Sequence, residues 1–291
     1  MSESSNGGVI QVYFKPVVPI PISEVRIGLY DNDFANLLTA EDDAVIEKVW
    51  SEVVREKGGK VFSKPKGLGT LYDTQDGVFT FRPTEFKVYL ATTLTCDQRS
   101  LNPAVYNQMK VGAVGAVVRL GDGTVFVHQR SANATHGKNV LDSSVAGVGF
   151  TDETGKPNFQ KSLYEKLARE MKIMPEEVSR VAVTGFHHAS APDFSGMLTC
   201  VVETPLESGH IEERIKDSSF EEHHFVPEDN LADFIFRHYG EGNDMIPDGC
   251  ATLMASLDAR IYEQLRYELR RLGRKITFGT LVAGHFNRRK V

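Results

Sequence analysis

The sequence predicts an α/β fold, a mixed sheet sandwiched between helices in an α/β/α order, with a small N-terminal α/β extension (9–95) packed on a larger domain (96–291). Three observations carry that expectation. Short runs rich in Val, Ile, Phe and Tyr recur in both parts and end at Gly, Pro or Asp, as in VIQVYFK (9–15), VGAVGAVVRL (111–120) and TVFVHQRS (124–131). Between such runs stand stretches with apolar residues every three or four positions, the period of a half-buried helix. Strand and helix signals interleave along the chain, as a layered α/β architecture requires.

Residues 9–15 alternate as a strand that Pro16, Pro19 and Pro21 end, and Arg26 to Tyr30 is a second strand. Thr39 followed by Asp42 resembles a capping box. The helix after it gathers Val45, Ile46, Val49, Trp50, Val53 and Val54 on one face, which puts Trp50 in the core, and Gly58-Gly59 stops it. Residues 60–95 read as two strands around a turn at Asp76-Gly77, the second, GVFTFRPTEFKVYLATTL (77–94), interrupted by Pro83 before it resumes or bends. Gly121-Asp122-Gly123 joins the next two strands as a hairpin. A strand near Val140–Val145 then leads into a loop bearing Gly147, Gly149 and Gly155. The loop delivers an amphipathic helix with Leu163, Leu167 and Met171 as its buried stripe and Glu165, Lys166, Arg169 and Glu170 on its polar face. Pro175-Glu176-Glu177 makes a turn, and strands follow at 180–188, 197–203 and 220–226. Pro227 suits the first turn of a helix through Tyr239. The last long helix runs from about Cys250 to Leu272, with Leu257, Ile261, Leu265 and Leu269 inward and Gly273 as its cap.

Composition narrows the function classes. With 41% hydrophobic and 25% charged residues and a net charge of −6, the chain reads as a soluble globular protein with no general attraction to nucleic acid. Its one basic concentration, Arg266 to Lys290, reads as a solvated helix face and tail. Cys96, Cys200 and Cys250 are far apart without CxxC spacing, so neither a zinc site nor a disulfide framework is expected, and a reducing compartment is. Residues 1–8 lack the pattern of a secretory signal, which also leaves the sequon Asn133-Ala-Thr135 without meaning. No apolar run approaches the roughly 18 residues of a membrane span. A cytoplasmic protein is expected.

The segment Glu165 to Ile173 (EKLAREMKI) follows the glycine loop. It resembles the helical half of the Nudix hydrolase motif: Gly, five residues, Glu, seven residues, then R-E-apolar-x-E-E-x-G-apolar. Glu170 matches the last motif glutamate. Lys166 stands where the family has its first metal-binding glutamate, Arg169 replaces another glutamate, and Lys172 replaces the glycine. DAVIEKVW (43–50), TEFKVYLAT (84–92), the hairpin end Gln129-Arg130-Ser131 and the paired strands around Thr184–Thr204 are similar to a eukaryotic Nudix subgroup that hydrolyses UDP-glucose and UDP-galactose. That similarity spans about residues 9–270. The resemblance implies a Nudix-type sandwich and a Mg²⁺- or Mn²⁺-dependent hydrolase of a nucleoside diphosphate-linked compound, a UDP-sugar first, yielding UMP and a sugar 1-phosphate. The alternative is a catalytically inactive Nudix-fold module that binds a nucleotide or a protein partner, and the lost motif glutamates favour it. The expected partner is a small-molecule nucleotide, with a homodimer left open.

Cleaving a diphosphate takes a divalent cation to neutralise developing charge and a base for water. Glu170 and Glu165 are the candidate metal ligands and catalytic carboxylates, with Glu153 as a substitute acid. Candidate substrate contacts are Arg130, whose guanidinium fork suits phosphate, Gly147 in the loop, Lys166 and Glu222. A fixed Lys166 ammonium could supply part of a cation's charge and hold a phosphate without metal, though it could not make a metal hydroxide. Each residue also has a plainer reading. Glu165–Arg169 and Lys166–Glu170 are i,i+4 pairs that would contribute about 0.3–0.5 kcal/mol each at a surface. Arg130 could be an exposed strand-end residue, Glu221-Glu222-His223-His224 a solvated strand end, and Asp193 a turn former. His187 and His188 point to opposite faces of their strand and cannot share a metal.

Overall fold

The computed structural model describes residues 9–16, 18–30, 33–56, 66–75, 78–96, 98–132, 138–149, 151–153, 156–189, 195–216, 220 and 222–278. The first part holds β1 (Ile10–Phe14), β2 (Ile20–Pro21), β3 (Arg26–Leu29), α1 (Ala40–Glu56), β4 (Lys66–Gln75), β5 (Val78–Glu85) and α2 (Phe86–Thr95). Next come α3 (Pro103–Gln108), β6 (Val111–Arg119), β7 (Thr124–Gln129), β8 (Leu141–Asp142), β9 (Val145–Val148) and α4 (Phe159–Lys166), the last continued by a π turn at Leu167–Met171. The chain goes on through β10 (Arg180–Ala189), β11 (Ser195–Glu203), α5 (Ser208–Arg214), β12 (His223–Pro227), α6 (Leu231–Ile235), a π turn at Phe236–Gly242, α7 (Pro247–Ala255), α8 (Ala259–Arg271) and β13 (Ile276–Phe278).

All these strands join one mixed sheet, ordered β13-β1-β10-β11-β6-β4-β5-β3, with β9 and the β7–β8–β12 branch attached at β6. β6 is its axis. It runs parallel to β11 over nine residue pairs and antiparallel to β9, and eight of its nine residues are buried. The small residues of VGAVGAVVR permit that crowding: a Cβ on Gly112 would lie 2.8 Å from Phe81 Cε1. Strands of residues 9–95 enter the same sheet, β1 against β10 and β4 against β6.

Helices cover both faces. Leu163 and Leu167 of α4 and its π turn pack with Phe126, Val114 and Phe186 on one face; Leu253 of α7 and Leu265 and Leu269 of α8 pack with Val117, Val125 and Val201 on the other. A third core joins α1, α2 and α3 around Ile46, Val88 and Met109. This is a mixed α/β architecture, one large mixed sheet with helices on both faces, as the α/β/α expectation has it. No helix of the described residues is long and apolar enough to cross a membrane.

Several elements differ from the sequence expectation. Phe86–Thr95 is a helix and not a resumed strand: it is buried almost all round, and Thr92, Thr93 and Thr95 donate to the carbonyls four residues back. Pro83 stays inside β5 because β3 pairs only with Val78–Phe81, so the missing N–H faces no ladder there. The last helix is two helices. The chain breaks at Ser256–Asp258, and the Asp258 carboxylate caps α8 by accepting from Arg260 N at 2.8 Å. In α8 Tyr262 takes the inward place expected of Ile261, which is exposed. Trp50 is half-buried at the edge of α1, whereas Ile46 is fully buried. Gly58-Gly59, the Asp76-Gly77 turn, Asn133 to Thr135, Gly155, Asp193, Glu221 and the tail through Lys290 lie outside the described residues.

Candidate functional site

The site forms where β7, β8 and β9 meet α4. Phe126 packs under α4, so strand alternation puts His128 and Arg130 on that same face. β8 is two residues long but held on both sides: His128 pairs with Asp142, and Leu141 exchanges backbone hydrogen bonds with the Asp244–Ile246 segment. Asp142 is thereby buried, and its Oδ2 accepts from Arg130 Nη1 at 2.8 Å while its Oδ1 accepts from Ser143 N at 2.7 Å. Ser144 joins the splaying β6 and β7, donating to Phe126 O and accepting from Val118 N at 2.8 Å. Gly147 follows on β9.

Above them, Leu163, Leu167 and Met171 are fully buried, as their spacing predicts. That burial leaves Lys166 lying against Gly147 of β9, with Glu170 beside it. Lys166 Nζ lies 3.3 Å from Glu170 Oε1, and Arg169 Nη2 lies 2.6 Å from the same oxygen. The Lys166 stem crosses Gly147 so closely that a Cβ there would sit 2.0 Å from Lys166 Cε. Burial lowers the Lys166 pKa, opposed by the charges of Glu170 and Asp142. Burial also lowers the His128 pKa, against the pull of Asp142 and Glu170, which places all four side chains within one electrostatic neighbourhood. The helix closes at Lys172, which takes a left-handed φ of 57° at the position where the motif has glycine.

The expected residues do not all converge. Arg130, with Asp142, and Lys166, with Gly147 and Glu170, form one cluster of interacting charges. Glu165 turns outward, 57% exposed, with Lys161 at 3.8 Å in place of the expected Arg169. Glu222 directs its carboxylate to His224 Nε2 at 3.6 Å, and His224 packs against Phe234 on the α6 side. Glu153 is exposed in the loop before α4. His187 is buried and engaged by Asp248 at 3.1 Å on the opposite face of the sheet. Sequence reasoning missed Asp142 and His128. The available signal was DSS at 142–144, an acid followed by two hydroxyls just ahead of the glycine loop.

The described residues of this cluster do not fit a bound Mg²⁺ or Mn²⁺. Such hard cations take near-octahedral oxygen coordination, part of it from carboxylates. Among the described residues no group of three or more His, Cys, Asp or Glu is placed to hold a metal ion. Glu170 already accepts from two cations, and Asp142 is turned toward Arg130 and Ser143. What the arrangement offers is a set of positive donors, Arg130, Lys166 and Arg169, seated on two carboxylates.

No protein-family model matches the sequence, and no curated protein matches it. Solved structures give weak likenesses. DR0079 from Deinococcus radiodurans has a TM-score of 0.38 at 15% identity, over 52% of this chain and 85% of that one. A Nudix hydrolase from M. smegmatis, RenU, has 0.33 at 16%, over 54% and 83%. A MutT protein from Methanosarcina mazei Go1 has 0.31 at 12%, over 54% and 93%. Likenesses of this strength assign neither family nor activity.

Proposed function

We propose that the chain binds a nucleoside joined through a diphosphate to another group, with a UDP-sugar as the first candidate, at the charge cluster of Arg130 and the inner face of α4. The observation that carries this reading is the convergence of Arg130, Lys166 and Arg169 on two carboxylates that hold them in place. Guanidinium and ammonium donors fixed in this way can contact the oxygens of a diphosphate without first being ordered. The UDP-sugar class itself rests on the sequence resemblance.

Binding is better supported than turnover. A Mg²⁺-dependent diphosphatase acting through Glu170 and Glu165 needs those carboxylates together, and here they point to different sides of the helix. One observation keeps the hydrolase as a second reading: the Glu170 side chain is 22% exposed, so water and ligand reach it. UMP release from UDP-glucose, measured with and without Mg²⁺ and in Glu170→Gln, separates the two. A binding module gives a ligand-induced rise in melting temperature and no product. Product that requires Mg²⁺ and disappears in Glu170→Gln establishes the hydrolase.

A further inference from the structure

We propose that Lys166 holds the diphosphate in place of a metal, so that a divalent cation opposes ligand binding instead of assisting it. This rests on the reading of the cluster as a nucleoside diphosphate site.

The argument starts from Gly147. Its missing side chain is the space Lys166 occupies: a Cβ there would lie 2.0 Å from Cε and 2.2 Å from Nζ. The stem lies against β9 with only 14% of the side chain exposed, and the ammonium sits 3.3 Å from Glu170 Oε1. A lysine side chain ordinarily loses rotamer entropy when it is fixed. Here the fold has already fixed it, before any ligand arrives.

Charge balance then sets the sign of the metal effect. Among the described ion pairs of this cluster, three cations, Arg130, Lys166 and Arg169, meet two carboxylates, Asp142 and Glu170, an excess of one positive charge without a metal. An acid at position 166 would make the cluster net negative, and a diphosphate would then enter only with a cation between. With lysine there, the free anion is the complementary ligand. Mg²⁺ chelated by the diphosphate reduces its charge and adds a cation beside Lys166, and both effects weaken the complex.

The experiment is calorimetric titration of UDP-glucose into the full chain, once in EDTA and once in excess Mg²⁺. Lys166→Met and Lys166→Glu run in parallel, with circular dichroism to check folding and Gly147→Ala as a variant that keeps the lysine but removes its seat. The expected result is binding in EDTA that weakens several-fold in Mg²⁺. Lys166→Met and Gly147→Ala each lose affinity at least tenfold in EDTA, and Lys166→Glu inverts the metal effect. Wild-type binding that needs Mg²⁺, or Lys166→Met binding as tightly as wild type, overturns the inference and leaves the ligand class intact. No binding in either buffer overturns the ligand class and the inference together.

Discussion

Two couples of basic and acidic side chains stand on opposite faces of the same sheet, and they differ in one respect that separates structure from function. On the α7 face His187 Nε2 meets Asp248 Oδ1 at 3.1 Å with side chains 3% and 8% exposed. On the α4 face Lys166 meets Glu170 at 3.3 Å with side chains 14% and 22% exposed. The first couple is closed over by the core and ties β10 to α7. The second is partly exposed, carries an excess cation in Arg169, and lies across a glycine. On the proposed reading the second couple, partly exposed, contacts the ligand, and the first, closed over, does not.

The largest expected effect tests the closed couple. Asp248→Ala leaves a buried imidazole without its partner and should cost about 2–3 kcal/mol of stability in urea unfolding. UDP-glucose affinity of the folded fraction should be unchanged. Lys166→Met should do the reverse: a tenfold or greater loss of affinity, about 1.4 kcal/mol, with stability altered by less than about 1 kcal/mol because the pair is partly solvated. Loss of both properties in either variant would erase the distinction between the faces.

Two smaller effects follow from titration. Burial, resisted by Asp142 and Glu170, holds the His128 pKa below its ordinary 6.5. The unfolded chain then binds more protons than the folded one, so stability is full above pH 6.5 and declines as pH falls toward the lowered folded value. His128→Gln should flatten that part of a stability–pH profile, leaving the slope from His224, whose pKa burial also lowers. Hydrogen bonds from Arg214, then from Met174 N, pull Glu177 from 4.5 down to about 2. Its contribution is present above pH 4.5 and is lost as pH falls toward 2. Glu177→Gln should remove it, an effect below about 1 kcal/mol for a pair this exposed. Thermal melts across pH check both.

What could be read from the sequence was mostly local. Thr39 and Asp42 cap α1 reciprocally, at 2.9 and 3.2 Å, because a capping box closes over a few residues. The stripe Leu163, Leu167 and Met171 is fully buried for the same reason. Phe86–Thr95 misled because a helix buried on nearly every side has no polar face to reveal its period. Lys166 and Glu170 were visible as neighbours one helical turn apart. Asp142 was not, since its partners Arg130 and the α4 face are assembled by strand pairing, and neither was Asp248, which reaches His187 across 61 positions.

The most direct test of the central claim is a crystal grown with UDP-glucose and Mn²⁺, with diffraction recorded at the manganese absorption edge. The account predicts diphosphate oxygens within hydrogen-bond distance of Lys166 Nζ and the Arg130 guanidinium, and no anomalous peak beside Glu170. A manganese peak bridging Glu170 and the diphosphate, with Lys166 displaced from Gly147, would contradict it.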